Sequence, residues 1–158
     1  MKNKDKLPFR TGVGIVLLNK KNNIFVGKRI DNPNNYWQMP QGGIEENENT
    51  LDAAKRELEE ETGIKSTKLI KELEGWLLYD LPADLLGKIW KGKYRGQRQK
   101  WFVMKFTGKD EEINVNTKNP EFLSWKWIKI SELTNIAVNF KLEVYKKLQE
   151  KLNSLNLN

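Results

Sequence analysis

A cluster of carboxylates in the first half of the chain is the part of the sequence best suited to chemistry. The stretch Glu45–Glu61 holds eight acidic and two basic residues, a local charge of −6. At about 100° per residue in a helix, Glu57, Glu60 and Glu61 fall on one face at spacings i, i+3 and i+4. Like charges this close repel one another, and a divalent cation would turn that penalty into a binding site.

Two absences narrow this chemistry. The 158 residues include no cysteine and no histidine. Thiolate nucleophiles, disulfides, iron–sulfur clusters and thiolate zinc sites are therefore excluded, and so is every Ser-His or Cys-His pair. We expect carboxylates to carry much of any acid–base catalysis, and we expect any metal to be an oxygen-preferring ion such as Mg²⁺ or Mn²⁺.

The rest of the chain is strongly basic. The net charge is +7, so the 141 residues outside the acidic stretch carry +13. Such a surplus is typical of proteins that bind polyanions, although a Lys-rich composition explains it equally well. The sequence contains no apolar run long enough to span a bilayer and no N-terminal secretory signal, so we expect a cytoplasmic protein that does not bind membranes.

A helix is needed to bring the carboxylates together. Asn49-Thr50 can cap a helix over Leu51–Thr62, and Gly63 suits its C-terminal end. The alternative to a metal-binding helix is a solvated charged helix with i, i+4 ion pairs, Lys55–Glu59 and Arg56–Glu60. The adjacent glycine pair Gly42-Gly43 favours the metal-binding helix, because a tight turn there exposes backbone just before the helix.

Short apolar runs interleaved with two helices predict an α/β (α+β) fold made of one domain over residues 1–158. The second helix is amphipathic over Phe140–Leu152, and Pro82–Trp90 is a short helix or an excursion. Asn32–Asn35 is predicted to be a loop. The expected strands are Val13–Leu18, Ile24–Ile30, Trp37–Met39, Leu69–Tyr79, Gln99–Phe106 and Phe122–Ile130.

The spacing of residues 42–64 resembles the Nudix box. The family pattern G-x5-E-x7-R-E-U-x-E-E-x-G-U, with U a bulky aliphatic residue, is matched at every fixed position from Gly42 through Glu48 and Arg56-Glu57 to Ile64. The resemblance implies a Nudix-type α/β/α sandwich with a mixed central sheet. It also implies a hydrolase that cleaves nucleoside diphosphate linkages with Mg²⁺ or Mn²⁺, which we expect to bind as two or more ions.

Further segments resemble a subfamily, the bacterial RNA pyrophosphohydrolases, which are also described as dinucleoside polyphosphate hydrolases. These segments are Val13–Val16, Trp37–Ile44, Gly96–Phe102 and Pro120–Trp127. By this resemblance Glu57, Glu60 and Glu61 are metal ligands, Arg56 holds Glu57, and Gly42 lets backbone approach the metal. Glu48 is an ancillary acidic residue, and Glu121 is a further ligand or the catalytic base. Between Glu57, Glu121 and a metal-bound hydroxide as the base, the sequence does not decide.

The resemblance also indicates where the substrate binds. Arg29 and Phe140 are expected to sandwich a nucleobase, with Tyr79 lining the same groove. The candidates for phosphate contacts are Arg10, Gln97, Arg98, Lys100 and Lys141, the last also a candidate for the base site.

Three functions remain open from the sequence. The first is removal of pyrophosphate or phosphates from the 5′ end of triphosphorylated RNA, which would promote RNA decay. The second is hydrolysis of dinucleoside polyphosphates by the same site. The third is a non-catalytic RNA-binding module. We expect a monomer, and the sequence does not indicate any activating protein partner.

Overall fold

The computed structural model describes residues 4–31 and 36–157, so the predicted loop Asn32–Asn35 lies outside the described part. The predicted α/β/α sandwich with a mixed sheet is confirmed. Eight strands form one sheet, with one long helix on each face. The strands are β1 Phe9–Leu18, β2 Ile24–Arg29, β3 Trp37–Gln38, β4 Gln41–Gly43, β5 Thr67–Glu72, β6 Leu77–Asp80, β7 Gly96–Phe106 and β8 Phe122–Ile128, and the helices are α1 Thr50–Thr62 and α2 Leu142–Ser154.

The sheet is mixed because its two central strands run parallel. β1 pairs with β7 in parallel register over ten residues, from Phe9 opposite Gly96 to Leu18 opposite Lys105. The other pairings, β4 with β1, β6 and β5 with β7, and β3 and β8 with β2, are antiparallel. Because β4 and β7 flank β1, residues far apart in sequence meet across three adjacent strands.

Side chains along β1 point alternately to the two faces of the sheet. One set of buried side chains packs with α1, and the interleaved set packs with α2, as the period of two in a strand requires. The α1 layer buries Val13, Ile15, Leu17, Phe102, Ala54 and Leu58. The α2 layer buries Val16, Leu18, Trp101, Tyr145, Leu148 and Leu152.

Helix α1 has the ends that its sequence predicts. The side chain of Asn49 accepts a hydrogen bond from the backbone N–H of Asp52 at 2.8 Å, which caps the first turn. Gly63 adopts the left-handed conformation at φ 72° and donates its N–H to the carbonyl of Glu59. These two caps fix the length of the helix, and therefore fix which turn presents the carboxylates.

Two predicted elements differ from the structure. The tight turn expected at Gly42-Gly43 is strand β4, Gln41–Gly43, and the turn before α1 lies at Glu46-Asn47, closed by the bond from the N–H of Glu48 to the carbonyl of Glu45. The strand predicted over Leu69–Tyr79 is two strands, β5 and β6, separated near Gly75, whose φ of 76° is incompatible with a continuous strand. The short helix or excursion predicted over Pro82–Trp90 is a series of turns followed by a 3-10 turn, in which Trp90 and Lys91 both have positive φ, 51° and 57°. Within the described residues, neither helix is long and apolar enough to cross a bilayer.

Candidate active site

Arg56 connects the helix α1 to the turn that precedes it. Its guanidinium donates to Glu48 through Nε and Nη2 at 2.8 and 2.9 Å, and to Glu57 through Nη1 at 2.9 Å. It also donates to the carbonyl of Gly43 at 2.9 Å and to Glu60 at 3.2 Å. The predicted i, i+4 pair with Glu60 is therefore present, but it is one contact among several.

Five carboxylates line one cavity beside the C-terminal half of α1, which we call the acidic cavity. It measures about 420 Å³, and its lining includes the predicted metal ligands Glu57, Glu60, Glu61 and Glu121, together with Glu59, Thr117, Lys118 and Asn119. Glu121 comes from the loop before β8, about sixty residues later in the chain, so the fold brings it to α1. Its side chain is half-exposed, and one of its oxygens lies 3.6 Å from Nη2 of Arg29.

Burial makes two of these carboxylates unusual. Glu61 is only 5% exposed, and burial raises its pKa well above the ordinary range, with further increases from Glu57 and Glu121. The pKa of Glu57 is also raised, chiefly by burial, although the hydrogen bond from Arg56 opposes the shift. The ionised forms of Glu57 and Glu61 are therefore poorly solvated, and a bound cation would stabilise them.

The donor set suits a hard divalent cation. Oε2 of Glu61 and Oγ1 of Thr117 are buried without a hydrogen-bond partner, and both residues line the acidic cavity. Gly42 lies against Glu57 so closely that an added Cβ would overlap the carboxyl group. Among the described residues, no three acidic side chains already form a closed coordination group. Glu57 and Glu60 instead contact Arg56, and mutual repulsion keeps carboxylates apart unless a cation neutralises them.

A second, larger cavity of about 710 Å³ lies on the α2 side of the sheet. Its lining includes the three residues expected at the base site, Arg29, Phe140 and Tyr79. The rings of Tyr79 and Phe140 are 5.6 Å apart at a 49° tilt. Trp90, held by its left-handed backbone, lines the same cavity and lies 5.3 Å from the guanidinium of Arg10.

Arg29 lies between the two cavities. It forms two hydrogen bonds of 2.7 Å with Asp31 and an ion pair with Glu121. The pKa of Arg29 is raised, first by the hydrogen bond to Asp31, so the residue stays cationic at any physiological pH. Its position joins the acidic cavity to the larger one, with a cation at the boundary.

The residues predicted to bind phosphate do not lie together in the structure. Arg10 and Gln97 lie opposite each other on β1 and β7, and Arg10 extends over Gly43. Arg98 and Lys100 point to the other face of β7, because side chains alternate along a strand. Arg98 covers the ring of Trp76 at 4.0 Å, and Lys100 donates to the carbonyl of Gly75 at 3.3 Å. None of these four residues lines either cavity. Arg10 contacts Trp90 and Gln97 bonds Tyr79, which do line the larger cavity, whereas Arg98 and Lys100 have no such contact, so the structure gives their phosphate role no support.

Lys141 lies in the larger cavity and not with Arg10. Its ammonium donates to Oε1 of Gln38 at 3.1 Å and lies 5.6 and 5.8 Å from the rings of Tyr79 and Phe140. Complete burial lowers its pKa to about 7. Lys141 therefore lies beside Tyr79 and Phe140, two of the residues expected at the base site, which was the second of the two roles considered for it.

Sequence reasoning missed Gln41 and Gln99. Gln41 lies in the Trp37–Ile44 segment and Gln99 in the Gly96–Phe102 segment, but no local sequence pattern predicts that they contact each other. Nε2 of Gln99 donates to Oε1 of Gln41 at 2.9 Å across β1. The alternation of β7, which puts Gln99 on the same face as Gln97, is the one sequence signal that pointed to this contact.

The fold and the site together define an α/β/α sandwich in which a carboxylate-rich helix lines the acidic cavity and aromatic side chains line the larger cavity beside it. The NUDIX domain family matches residues 8–148. An RNA pyrophosphohydrolase of Pelagibacter ubique is 60% identical over 153 residues, which cover 97% of each chain. An RNA pyrophosphohydrolase of Rickettsia canadensis is 48% identical over 149 residues, which cover 94% of this chain and 92% of that one. The chain belongs to the Nudix family.

Solved structures show the same fold. The Escherichia coli dihydroneopterin triphosphate pyrophosphohydrolase superposes with a TM-score of 0.71 at 20% identity, covering 92% of this chain and 99% of that one. A Caenorhabditis elegans Ap4A hydrolase in a binary complex superposes with a TM-score of 0.63 at 18% identity, covering 91% and 99%. At these identities the similarity concerns the fold alone.

Proposed function

We propose that this protein is a metal-dependent hydrolase that removes pyrophosphate, or successive phosphates, from the 5′ end of triphosphorylated RNA. The observation that carries the proposal is that the acidic cavity and the larger cavity are adjacent and meet at Arg29. The first suits metal-bound phosphates and the second suits a stacked base. The names of the relatives that are 60% and 48% identical support the same substrate. A cytoplasmic location accompanies this proposal.

The acidic cavity would hold Mg²⁺ or Mn²⁺, with two or more ions, through Glu57, Glu60, Glu61 and Glu121. When bound, these ions neutralise phosphate charge and acidify a water molecule. Arg56 orients Glu57 by its 2.9 Å hydrogen bond, and Glu61 supplies a buried carboxylate whose second oxygen has no partner. Gly42 leaves the space that Glu57 occupies.

The proton of the attacking water goes to a carboxylate oxygen, since the chain has no histidine. Glu57 and Glu121 are the two candidates, and they differ in their surroundings. Glu57 is largely buried and bonded to Arg56, while Glu121 is half-exposed and paired with Arg29. Comparing the pH dependence of kcat in Glu121→Gln and the wild type separates them, since only loss of the base removes the acidic limb.

On the α2 side, the substrate's first base would stack in the larger cavity. Phe140 and Tyr79 offer ring faces there, and Arg29 offers a planar cation. Arg10, near Gly43 and Trp90, is placed to bind the phosphates between the base and the acidic cavity. The basic surplus outside the acidic stretch would favour binding of a polyanion.

Dinucleoside polyphosphates are the second candidate substrate. The larger cavity receives one nucleoside and the acidic cavity receives a polyphosphate chain, and neither requires an RNA chain beyond the first base. Both substrates should be incubated with the purified protein and Mg²⁺ at matched concentrations, with Glu57→Gln as the inactive control. Activity on RNA more than tenfold weaker than on the dinucleotide would overturn the RNA proposal. Binding of RNA without hydrolysis of either would indicate a non-catalytic module.

A further inference from the structure

A chain of buried polar side chains crosses the sheet beneath the larger cavity. Gln99, which is 1% exposed, donates from Nε2 to Gln41 at 2.9 Å and to Gln97 at 3.2 Å. The hydroxyl of Tyr79 donates to the same Oε1 of Gln97 at 2.9 Å. Nε1 of Trp101 donates to Oε1 of Gln99 at 3.2 Å. The chain thus links β4, β6 and β7 through side-chain bonds alone.

The indole of Trp101 sets the direction of every bond in this chain. An indole N–H can only donate, so the group of Gln99 that faces it must be the amide oxygen. The amide nitrogen of Gln99 then faces Gln41 and Gln97, and both must present oxygen to it. If the side-chain amide of Gln41, Gln97 or Gln99 rotated by 180°, an oxygen would face another oxygen or an N–H group would face another N–H group.

Gln97 is left with one group unused. Its oxygen accepts from Gln99 and from Tyr79, so its nitrogen points away from the chain as a donor. That Nε2 is buried and has no hydrogen-bond partner, although a buried unpartnered donor costs about 1–3 kcal/mol. It lies above Gly12, where an added Cβ would overlap it.

A cation lies beside this donor. Gly12 pairs with Gly43 across β1 and β4, and the guanidinium of Arg10 lies over Gly43 at the position that a Cβ would occupy. Directly opposed positions in a sheet are about 5 Å apart. A neutral N–H donor and a positive charge therefore lie over two opposed glycines. An anionic oxygen that entered between them from the larger cavity, which Tyr79 lines beside Gln97, would accept from both.

We propose that Gln99 is a positioning residue that turns the amide of Gln97 so that Gln97 donates an N–H to an oxygen of the substrate's polyphosphate chain. The identity of that ligand rests on the proposed function. With the opposite orientation, Gln97 would present its own oxygen to the anion and repel it. Gln99 itself touches no substrate and acts only through Gln97.

A double-mutant cycle tests this coupling. Gln97→Met, Gln99→Met and the double variant keep side-chain length and lose the amide. The measurements are the affinity for inorganic triphosphate with Ca²⁺, by calorimetry, and kcat and KM on triphosphorylated RNA with Mg²⁺. We expect Gln97→Met to weaken triphosphate binding about 10- to 100-fold, since bonds to charged groups are the stronger ones. Gln99→Met should weaken it at least fivefold alone and less than twofold on the Gln97→Met background.

The KM–kcat split separates positioning from general damage. The loss should fall on KM, with kcat within about twofold, because Gln97 binds the phosphate chain before and during reaction. Gln149→Met is the matched control, since Gln149 bonds the carbonyl of Ile130 and lines neither cavity. If Gln99→Met does not fold, Gln99→Glu replaces it, because it keeps the acceptor for Trp101 and loses the donor to Gln97. Losses that add in the double variant, or that appear in kcat alone, overturn the proposal.

One measurement keeps this inference separate from the substrate assignment. In ¹⁵N-labelled wild-type protein, the side-chain amide resonance of Gln97 should shift when inorganic triphosphate is added, and this shift should be lost in Gln99→Glu. If the enzyme fails to hydrolyse triphosphorylated RNA but this shift occurs, the proposed function fails and the positioning role stands. If RNA is hydrolysed and the resonance does not move, the positioning role fails alone.

Discussion

Arg56 binds Glu48 through two parallel hydrogen bonds, from Nε to Oε2 at 2.8 Å and from Nη2 to Oε1 at 2.9 Å. This paired geometry uses the planar fork of the guanidinium, and it lowers the pKa of Glu48 to about 2. Nη1 of Arg56 then reaches Glu57 at 2.9 Å, beside its bond to Glu60. Glu48 therefore fixes the guanidinium, and the guanidinium fixes a carboxylate of the acidic cavity.

Arg56→Lys should lower kcat about tenfold or more while leaving the fold intact. A lysine keeps the charge, but its single ammonium cannot bind Glu48 at two points and also reach Glu57. The measurement is kcat on triphosphorylated RNA across an Mg²⁺ titration, with the thermal midpoint as a check on folding. Lys55→Arg, the reverse exchange at the neighbouring exposed position, is the control. Equal kcat for Arg56→Lys and the wild type would show that charge alone suffices.

The site elements that lie within one helix were predictable from the sequence, and those assembled across strands were less so. Glu57, Glu60 and Glu61 share a face because helical periodicity and the two caps determine it. Glu48 was expected only as an ancillary acidic residue, and its direct pairing with Arg56 depends on the path of the preceding turn. The contact between Gln41 and Gln99 requires the parallel register of β1 and β7, which no local pattern encodes.

The alternation of side chains along β7 was enough to predict that Arg98 and Lys100 lie apart from Gln97. Arg98 and Lys100 alternate with Gln97 along β7, so all three cannot share a face, and the structure separates them. The break between β5 and β6 was not predicted because apolar residues alternate irregularly with Lys71, Glu72 and Glu74 through Leu69–Tyr79, and Gly75 is the single turn-forming residue among them. Lys141 was ambiguous, since its burial beside Gln38 depends on how α2 packs on the sheet.

Glu61→Gln should stabilise the protein in EDTA at neutral pH and abolish stabilisation by Mg²⁺. The folded pKa of Glu61 is raised, so between pH 4.5 and that higher value the native state binds more protons than the unfolded state. Stability is therefore lost as pH rises through this window, and an amide avoids the loss. Thermal midpoints with EDTA and with Mg²⁺ measure both effects.

The control for this variant is Glu143→Gln, on the helix α2. Glu143 is exposed and pairs with Lys146 at 3.4 Å, and it lines neither cavity. It should change neither the midpoint in EDTA nor the increment due to Mg²⁺ by more than about 1 °C, as surface pairs contribute little. A drop in the EDTA midpoint of Glu61→Gln would mean that Glu61 is a structural residue with an unseen partner.

Phe140→Ala should raise KM for triphosphorylated RNA about tenfold and leave the Mg²⁺-induced shift of the thermal midpoint unchanged. The ring lines the larger cavity 5.6 Å from Tyr79, and loss of one stacking surface costs roughly 1–3 kcal/mol. Tyr94→Ala is the comparison, because Tyr94 contacts Trp90 but lines neither cavity. Unchanged kinetics with a lower midpoint would assign Phe140 to the core.

Lys141→Met should stabilise the protein most at low pH, and the gain should shrink as pH rises. Burial lowers the folded pKa of Lys141 to about 7, with Arg29 lowering it further and Glu61 and Asp31 opposing the shift. Below pH 7 both states are protonated, and folding carries the full cost of a buried charge. Between about 7 and 10.5 only the unfolded state keeps the proton, so wild-type stability rises with pH.

Urea unfolding at pH 6 and pH 9 measures this difference between Lys141→Met and the wild type. At about 1.4 kcal/mol per pH unit over the two units above pH 7, the gain from the substitution should fall by about 3 kcal/mol between the two. Loss of the hydrogen bond to Gln38 is a constant cost and does not affect that change. Lys147→Met, on the exposed face of α2, should show no such dependence. A difference that is the same at both pH values would mean that Lys141 stays charged in the folded protein, and that the cavity presents a fixed cation to the base.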